Sequence, residues 1–257
     1  MGKSNSQNQN SPRKPNKFEW MGYEWMCSPK WGTTHPDNKN TWYSRDAVNV
    51  INNELHLTVH RLPKNIKDDP HYVDEFGAFD STKPYKPYGI GLVRTTGEFG
   101  YGTYEIECML PEGCNLWPSF WFSGDNSWPP EIDVFEGYTS NIGSYRSNLI
   151  MYRVEPNVHY SDRRTGEHKQ IGAKKVLSLI IKKGKTNKFK MVWKPDSISI
   201  YYNGIRVRKV TNDDILYQFR ENKMHPILNL MVNESFNDYN LAEEPTMVVK
   251  NFKYTPL

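Results

Sequence analysis

A chain of 257 residues, 37% hydrophobic and 24% charged, can bury a core as one large all-β domain or two small ones. It contains no apolar run near the roughly 20 residues that a membrane helix needs. The formal charge of +4 is local: Lys3, Arg13, Lys14 and Lys17 lie in the first 18 residues without an acid, and the remainder balances 29 basic against 29 acidic groups. A basic balance of that kind gives no reason to expect a nucleic-acid partner.

Residues 1–17 are polar and read as a disordered tail or a tag remnant. They lack the apolar stretch of a secretory signal, and Met1-Gly-Lys-Ser-Asn-Ser6 meets a myristoylation pattern that short sequences often meet by chance. Residues 18–257 show no linker and no internal repeat, and are expected to form a single domain. Within them Leu55, Leu57 and Val59 alternate with polar neighbours, as do Tyr104, Ile106, Cys108 and Leu110, and then Phe189, Met191 and Trp193. Period two is the mark of a strand with one buried face. Cys27, Cys108 and Cys114 are odd in number and match no zinc or redox spacing; Cys108, on the apolar side of its strand, reads as a buried thiol. From Ser161 to Lys190 ten Lys or Arg face only Asp162 and Glu167, which reads as a solvated face with Lys-rich turns; a surface for an anionic polysaccharide is the alternative. Asn203-Gly204 between two β-prone runs predicts a type I′ hairpin, Lys183-Gly184-Lys185 another turn, and helix is confined to a turn or two near Asn212–Phe219. Many short strands with short turns predict an antiparallel sandwich.

One segment carries chemistry. Glu131-Ile-Asp-Val-Phe-Glu136 is β-prone, and on a regular strand Glu131 and Asp133 share a face while Glu136 points away. A bulge of one residue restores the parity and brings all three acids to one side. Crowding carboxylates raises the free energy and forces one to hold a proton. Glycoside hydrolysis uses that arrangement, with one carboxylate to attack the anomeric carbon and one acid to protonate the leaving oxygen. An exposed acidic face or a calcium site is the plainer reading of the same residues. His56 and His60 sit on a strand at a spacing that suits no obvious metal site. No Gly-x-Ser-x-Gly elbow and no phosphate-binding glycine loop occurs.

These stretches, in chain order, resemble glycoside hydrolase family 16. Phe99-Gly-Tyr-Gly-Thr-Tyr-Glu105 is similar to its Tyr-Gly-x-x-Glu strand, and Leu116-Trp-Pro-Ser-Phe-Trp121 to its Trp-Pro-Ala-x-Trp strand. Glu131–Glu136 looks like the bulged motif of the laminarinase, agarase and carrageenase branches; the regular-strand motif of lichenases is one residue shorter. Phe189–Trp193, Ile198–Gly204 and Pro226–Leu230 resemble later core strands. The resemblance implies a β-jelly-roll sandwich of the concanavalin A-like lectin/glucanase type with a concave cleft. It implies a retaining endo-β-glycosidase acting on a polysaccharide, with Glu131 as nucleophile, Asp133 assisting and Glu136 as acid/base. It also places Arg94 among groups that bind sugar hydroxyls.

Trp117, Trp121 and Trp128 are candidate stacking platforms, and the 14% aromatic content suits both a β-protein and sugar binding. Trp117 and Trp121 share strand parity and must face cleft or core together. Trp128 is the better cleft candidate, and Trp193 is assigned to the core. Tyr138 and His159 are expected at the cleft rim. Many laminarinases have Gly before the first catalytic Glu and Met before the last, and this chain has Pro130 and Phe135; Leu230-Met-Val-Asn-Glu234 lacks a Gly-Gly common there. These departures fit a galactan-cutting branch (agarose, porphyran, carrageenan) beside β-1,3-glucan. No cofactor is required. Relatives often hold a structural calcium on the convex face, for which no ligand set stands out. A monomer is expected, and its polymer substrate implies a secreted, periplasmic or cell-surface location. The alternatives are a lectin-like glycan-binding module and a transglycosylase using the same acids.

Overall fold

The computed structural model describes residues 16–27, 41–62, 87–138, 153–171, 180–182, 184–220, 222–242 and 244–257. Most of the expected N-terminal tail, and Lys183 of one expected turn, lie outside them. In chain order the strands are β1 (Lys17–Trp20), β2 (Tyr23–Met26), β3 (Thr41–Tyr43), β4 (Val48–Ile51), β5 (Glu54–Arg61), β6 (Tyr88–Ile90), β7 (Leu92–Thr95), β8 (Gly102–Met109) and β9 (Leu116–Ser123). They continue as β10 (Glu131–Tyr138), β11 (Arg153–Ser161), β12 (His168–Gln170), β13 (Asn187–Lys194), β14 (Ser197–Tyr202), β15 (Ile205–Val210), β16 (His225–Val232) and β17 (Thr246–Pro256). Among the described residues helix is limited to α1 (Asp213–Leu216), α2 (Asp238–Leu241) and single 3-10 turns. None of these is long and apolar enough to cross a membrane.

Two sheets pack face to face. One runs β1-β2-β7-β16-β9-β10-β11-β12; the other runs β15-β14-β13-β8-β17-β5-β6-β3, with β4 on the side of β5. The expected all-β sandwich is therefore present. Its one departure from antiparallel pairing among the described residues is the short parallel ladder of β3 with β6. The alternating patterns do what period two requires. Leu55, Leu57, Tyr104, Ile106, Cys108, Phe189, Met191 and Trp193 are all buried between the sheets. No disulfide joins Cys27, Cys108 and Cys114. Asn203 and Gly204 adopt φ of 48° and 87°, and Tyr202 pairs with Ile205 across them. Positive φ at both turn residues is what a two-residue hairpin of this twist demands. Asn212 caps α1 by accepting from the Asp214 backbone N–H at 3.0 Å.

In the first sheet β16, β9, β10 and β11 lie side by side, and their outward-facing residues line up in rows on the face where the cleft is expected. The register sets those rows. His225, Ser123, Glu131, His159 and Gln170 stand opposite one another across five strands. The next row is Ile227, Trp121, Asp133 and Asn157, and the one after it Asn229, Ser119, Glu136 and Glu155.

Candidate active site

The parity problem of Glu131 to Glu136 is solved by a bulge in β10. Asp133 pairs with Asn157 and Glu136 with Glu155, so three steps on β10 match two on β11. On the β9 side Asp133 pairs with Trp121 and Phe135 with Phe120, so Val134 is the extra residue. Val134 and Phe135 both turn inward and are fully buried, Phe135 with its ring 4.2 Å from that of Phe189. The bulge frees a backbone carbonyl from the ladder, and a buried free carbonyl is costly. The Tyr202 hydroxyl, reaching across from the other sheet, donates to Val134 O at 2.8 Å. Pro156 lies opposite, where a residue without an N–H is tolerated, and its carbonyl accepts from Arg208 Nη2 at 3.2 Å. Gly137 closes the segment: a Cβ there would stand 2.9 Å from Pro118 Cγ.

With the bulge in place all three acids face the cleft. Glu131 accepts from Trp128 Nε1 at 2.9 Å. Its other oxygen lies 3.6 Å from His159 Nε2, which is also 3.3 Å from Asp133 Oδ2. Glu136 Oε1 accepts from Trp117 Nε1 at 3.2 Å and from the Tyr138 hydroxyl at 3.0 Å. Asp133 is the deepest of the three, at 2% exposure. Burial pushes the Glu131 carboxyl well above the usual range and the charge of Asp133 adds to this; His159 and the Trp128 N–H pull it back. Burial likewise raises Asp133, followed by the charge of Glu136, with a hydrogen bond from Glu131 acting the other way. Two carboxyls raised together share a proton.

A carboxyl whose folded pKa exceeds its unfolded one contributes stability that is complete below the unfolded value and lost as pH rises through the folded value. The ordinary values here are 3.8 for Asp and 4.5 for Glu. The site therefore weakens the fold near neutrality and not in acid. Asp133→Asn is expected to be more stable than the parent by about 1–2 kcal/mol at neutral pH, with the gap closing toward pH 4. Urea denaturation across that range checks this; a gap that widens in acid would refute the upward shift of Asp133.

The other expected site residues divide. Trp128 is 55% exposed and projects beside Glu131, its ring 5.7 Å from His159 and 4.6 Å from His168. Trp117 and Trp121 share the cleft face, half-buried. Trp117 lies 5.4 Å from the Tyr138 ring, and Trp121 donates to Asn229 Oδ1 at 2.7 Å. Trp193 is in the core. His159 stands directly opposite Glu131 and makes a 2.9 Å contact through Nδ1 to His168 Nε2. Burial lowers the His168 pKa, and His159 lowers it further. Arg94 lies apart. It is buried in β7, three strands from β10, bonded to Asp125 at 3.1 Å and Met26 Sδ at 3.1 Å.

Sequence reading overlooked Asn157, Glu155 and His168. The first two are legible by stepping back from His159 in twos along β11. Asn157 contacts His159 Nε2 at 3.2 Å and donates to Gln170 Oε1 at 2.8 Å. His168 reaches the site only through the β11–β12 hairpin, which no local motif announces.

The sequence profile of glycosyl hydrolases family 16 matches residues 35–245. The endo-1,3-1,4-β-glycanase ExsH of Rhizobium meliloti is 28% identical over 161 residues, 56% of this chain and 32% of that protein. The chain thus spans about a third of that relative's length. Among solved structures, one described with the endo-acting O-glycanases that human gut microbiota express to initiate mucin breakdown superposes with a TM-score of 0.69 at 18% identity, covering 94% of this chain and 87% of the other. A Bacteroides ovatus family 16 protein of a mixed-linkage glucan locus, in complex with a G4G4G3G product, gives 0.63 at 18% identity over 93% and 97%. At such identities the two structures speak for the fold.

Proposed function

The chain belongs to glycosyl hydrolase family 16, and from that premise we propose that it cuts internal linkages of a β-linked polysaccharide by double displacement. The observation that carries the reading is the β10 bulge, which sets Glu131, Asp133 and Glu136 on one cleft face among indole rings. In the first half-reaction Glu131 attacks the anomeric carbon while Glu136 gives its proton to the departing glycosidic oxygen. In the second, Glu136 takes a proton from water, which displaces Glu131 and restores the configuration. Trp117 and Tyr138 hold Glu136 Oε1 as acceptor, which leaves the transferable proton to Oε2. Asp133, beside Glu131, takes up the proton the two share when Glu131 ionises to attack. A secreted, periplasmic or surface location goes with a polymeric substrate, and a single copy of the chain carries every group used.

For the polymer, a β-1,3(4)-glucan leads, because the relative is described as an endo-1,3-1,4-β-glycanase and the neighbour belongs with mixed-linkage glucan. A β-galactan stands second on the Pro130 and Phe135 departures. Phe135 loses weight in that comparison, because its side chain packs into the core and cannot touch sugar. A lectin-like role is disfavoured by the same burial: a binding module gains nothing from carboxyls whose charge is penalised.

The test is a product screen with laminarin, mixed-linkage glucan, agarose, porphyran, κ-carrageenan, xyloglucan and mucin glycans. A ladder of oligosaccharides whose new reducing ends first appear as the β-anomer is expected from a glucan. A ladder from a galactan reassigns the polymer. Transfer products longer than the substrate reassign the acceptor. Binding without any product sinks the hydrolase reading.

A further inference from the structure

A second cluster lies on the same sheet, away from the acids. We propose that Glu98, Asp125 and His225 form a site for a divalent cation of the zinc class. His225 opens β16 and is 3% exposed. Its Nδ1 lies 2.9 Å from the Thr95 carbonyl oxygen. A carbonyl can only accept, so the ring proton is on Nδ1, and in the neutral ring Nε2 is a bare lone pair. That Nε2 is buried and has no hydrogen-bond partner. It is aimed between two carboxylates, 3.4 Å from Asp125 Oδ2 and 3.8 Å from Glu98 Oε1.

Those separations are too long for hydrogen bonds, which close to about 2.7–3.2 Å. A tetrahedron around an ion whose ligand bonds are about 2.0–2.2 Å has edges of roughly 3.3–3.6 Å; the Asp125 separation falls in that range and the Glu98 one, at 3.8 Å, is slightly longer. All three candidate ligand atoms lie within 4.8 Å of one another. The outer contacts are of the kind that orient metal ligands. The Thr95 carbonyl fixes the imidazole, and Arg94 Nη1 holds the other oxygen of Asp125 at 3.1 Å. Both carboxylates reach solvent, so an ion has a way in. Calcium and magnesium take oxygen ligands, whereas an imidazole with two carboxylates suits zinc.

The register separates this cluster from the reaction. His225 faces Ser123, and Ser123 faces Glu131, so His225 is two strand spacings, about 10 Å, from the nucleophile. Glu98 comes from the β7–β8 connection and Asp125 from the β9–β10 connection, which also carries Trp128. An ion here pins both connections to β16 and steadies the segment that presents Trp128 to Glu131.

The experiment is calorimetric titration of Zn²⁺ into the full chain at slightly alkaline pH, where imidazole is neutral, with thermal melts before and after EDTA. Glu131, Asp133 and His159 also hold three ligand atoms within 4.8 Å, so the variants must tell the two clusters apart. One saturable site is expected, with a melting temperature raised by zinc and lowered again by EDTA. Glu98→Gln, at a solvent-facing position that should not disturb folding, is expected to weaken binding at least about ten-fold, and Glu131→Gln to leave it unchanged. Absence of saturable binding overturns the proposal. So does binding that survives Glu98→Gln, or that falls equally in both variants.

Discussion

Glu131→Gln is expected to lower kcat on the polysaccharide by about 10⁴-fold or more, while the affinity for glycan changes little. The amide matches the carboxylate in volume and still offers an oxygen to the Trp128 N–H, which lies 2.9 Å from the carboxylate in the parent. What it lacks is a lone pair basic enough to form the glycosyl ester. The melting temperature should hold or rise, since the substitution removes a charge that burial and Asp133 both penalise. Loss of activity together with loss of stability would indicate collapse of the site and not loss of the nucleophile. A direct check uses Glu131→Ala with azide and an activated β-glycoside. Azide enters the vacated space, attacks the anomeric carbon as the aglycone leaves, and gives the α-glycosyl azide. A Glu131→Gln enzyme with more than about a tenth of the parent rate removes Glu131 from the covalent step.

Much of this site could be read from residue order because its determinants are local. Period two put Tyr104, Ile106 and Cys108, and Phe189, Met191 and Trp193, on buried faces, where the structure has them. The bulge was readable because the acids at 131, 133 and 136 make sense together only if one residue between them is extra, and Val134 is that residue. The hairpin at Asn203-Gly204 followed from two residues that accept positive φ. Parity alone left Trp117 and Trp121 undecided. Their indole N–H groups decide it, because each finds its acceptor on the cleft face, Glu136 for one and Asn229 for the other.

What was not legible depends on pairing between strands far apart in the chain. β16 lies between β7 and β9, more than a hundred residues distant from each, and no local pattern encodes that neighbourhood. It brings His225 beside Glu98 and Asp125, with Arg94 bonded to Asp125. The parallel β3–β6 ladder is of the same kind. Tyr202 and Arg208 are a third case. They are residues of a predicted hairpin, and nothing in that hairpin says that they cross the core to satisfy Val134 and Pro156 beneath the catalytic strand.

Glu136→Gln is expected to fail in a different way, and the difference assigns the roles. Proton donation matters in proportion to how poor the leaving group is. The loss should reach about 10²–10⁴-fold on polysaccharide, where a sugar hydroxyl departs. A dinitrophenyl glycoside needs no proton to leave, so its first step should slow only slightly. Its second step still requires a base for water, and that base is gone. A burst of one dinitrophenolate per enzyme followed by slow turnover is the expected trace. Azide needs no deprotonation, so it should restore turnover and give the β-glycosyl azide, because it attacks the covalent intermediate and not the substrate. The two azide products thus have opposite anomeric configuration, α from the Glu131 variant and β from the Glu136 variant. Trp117 and Tyr138 supply an internal control, since both donate to Glu136 Oε1. Tyr138→Phe removes one donor from that carboxylate without touching Glu131. It should shift the pH limb assigned to the acid and leave the azide stereochemistry of each variant unchanged. An α-azide from Glu136→Gln would instead exchange the roles of the two glutamates.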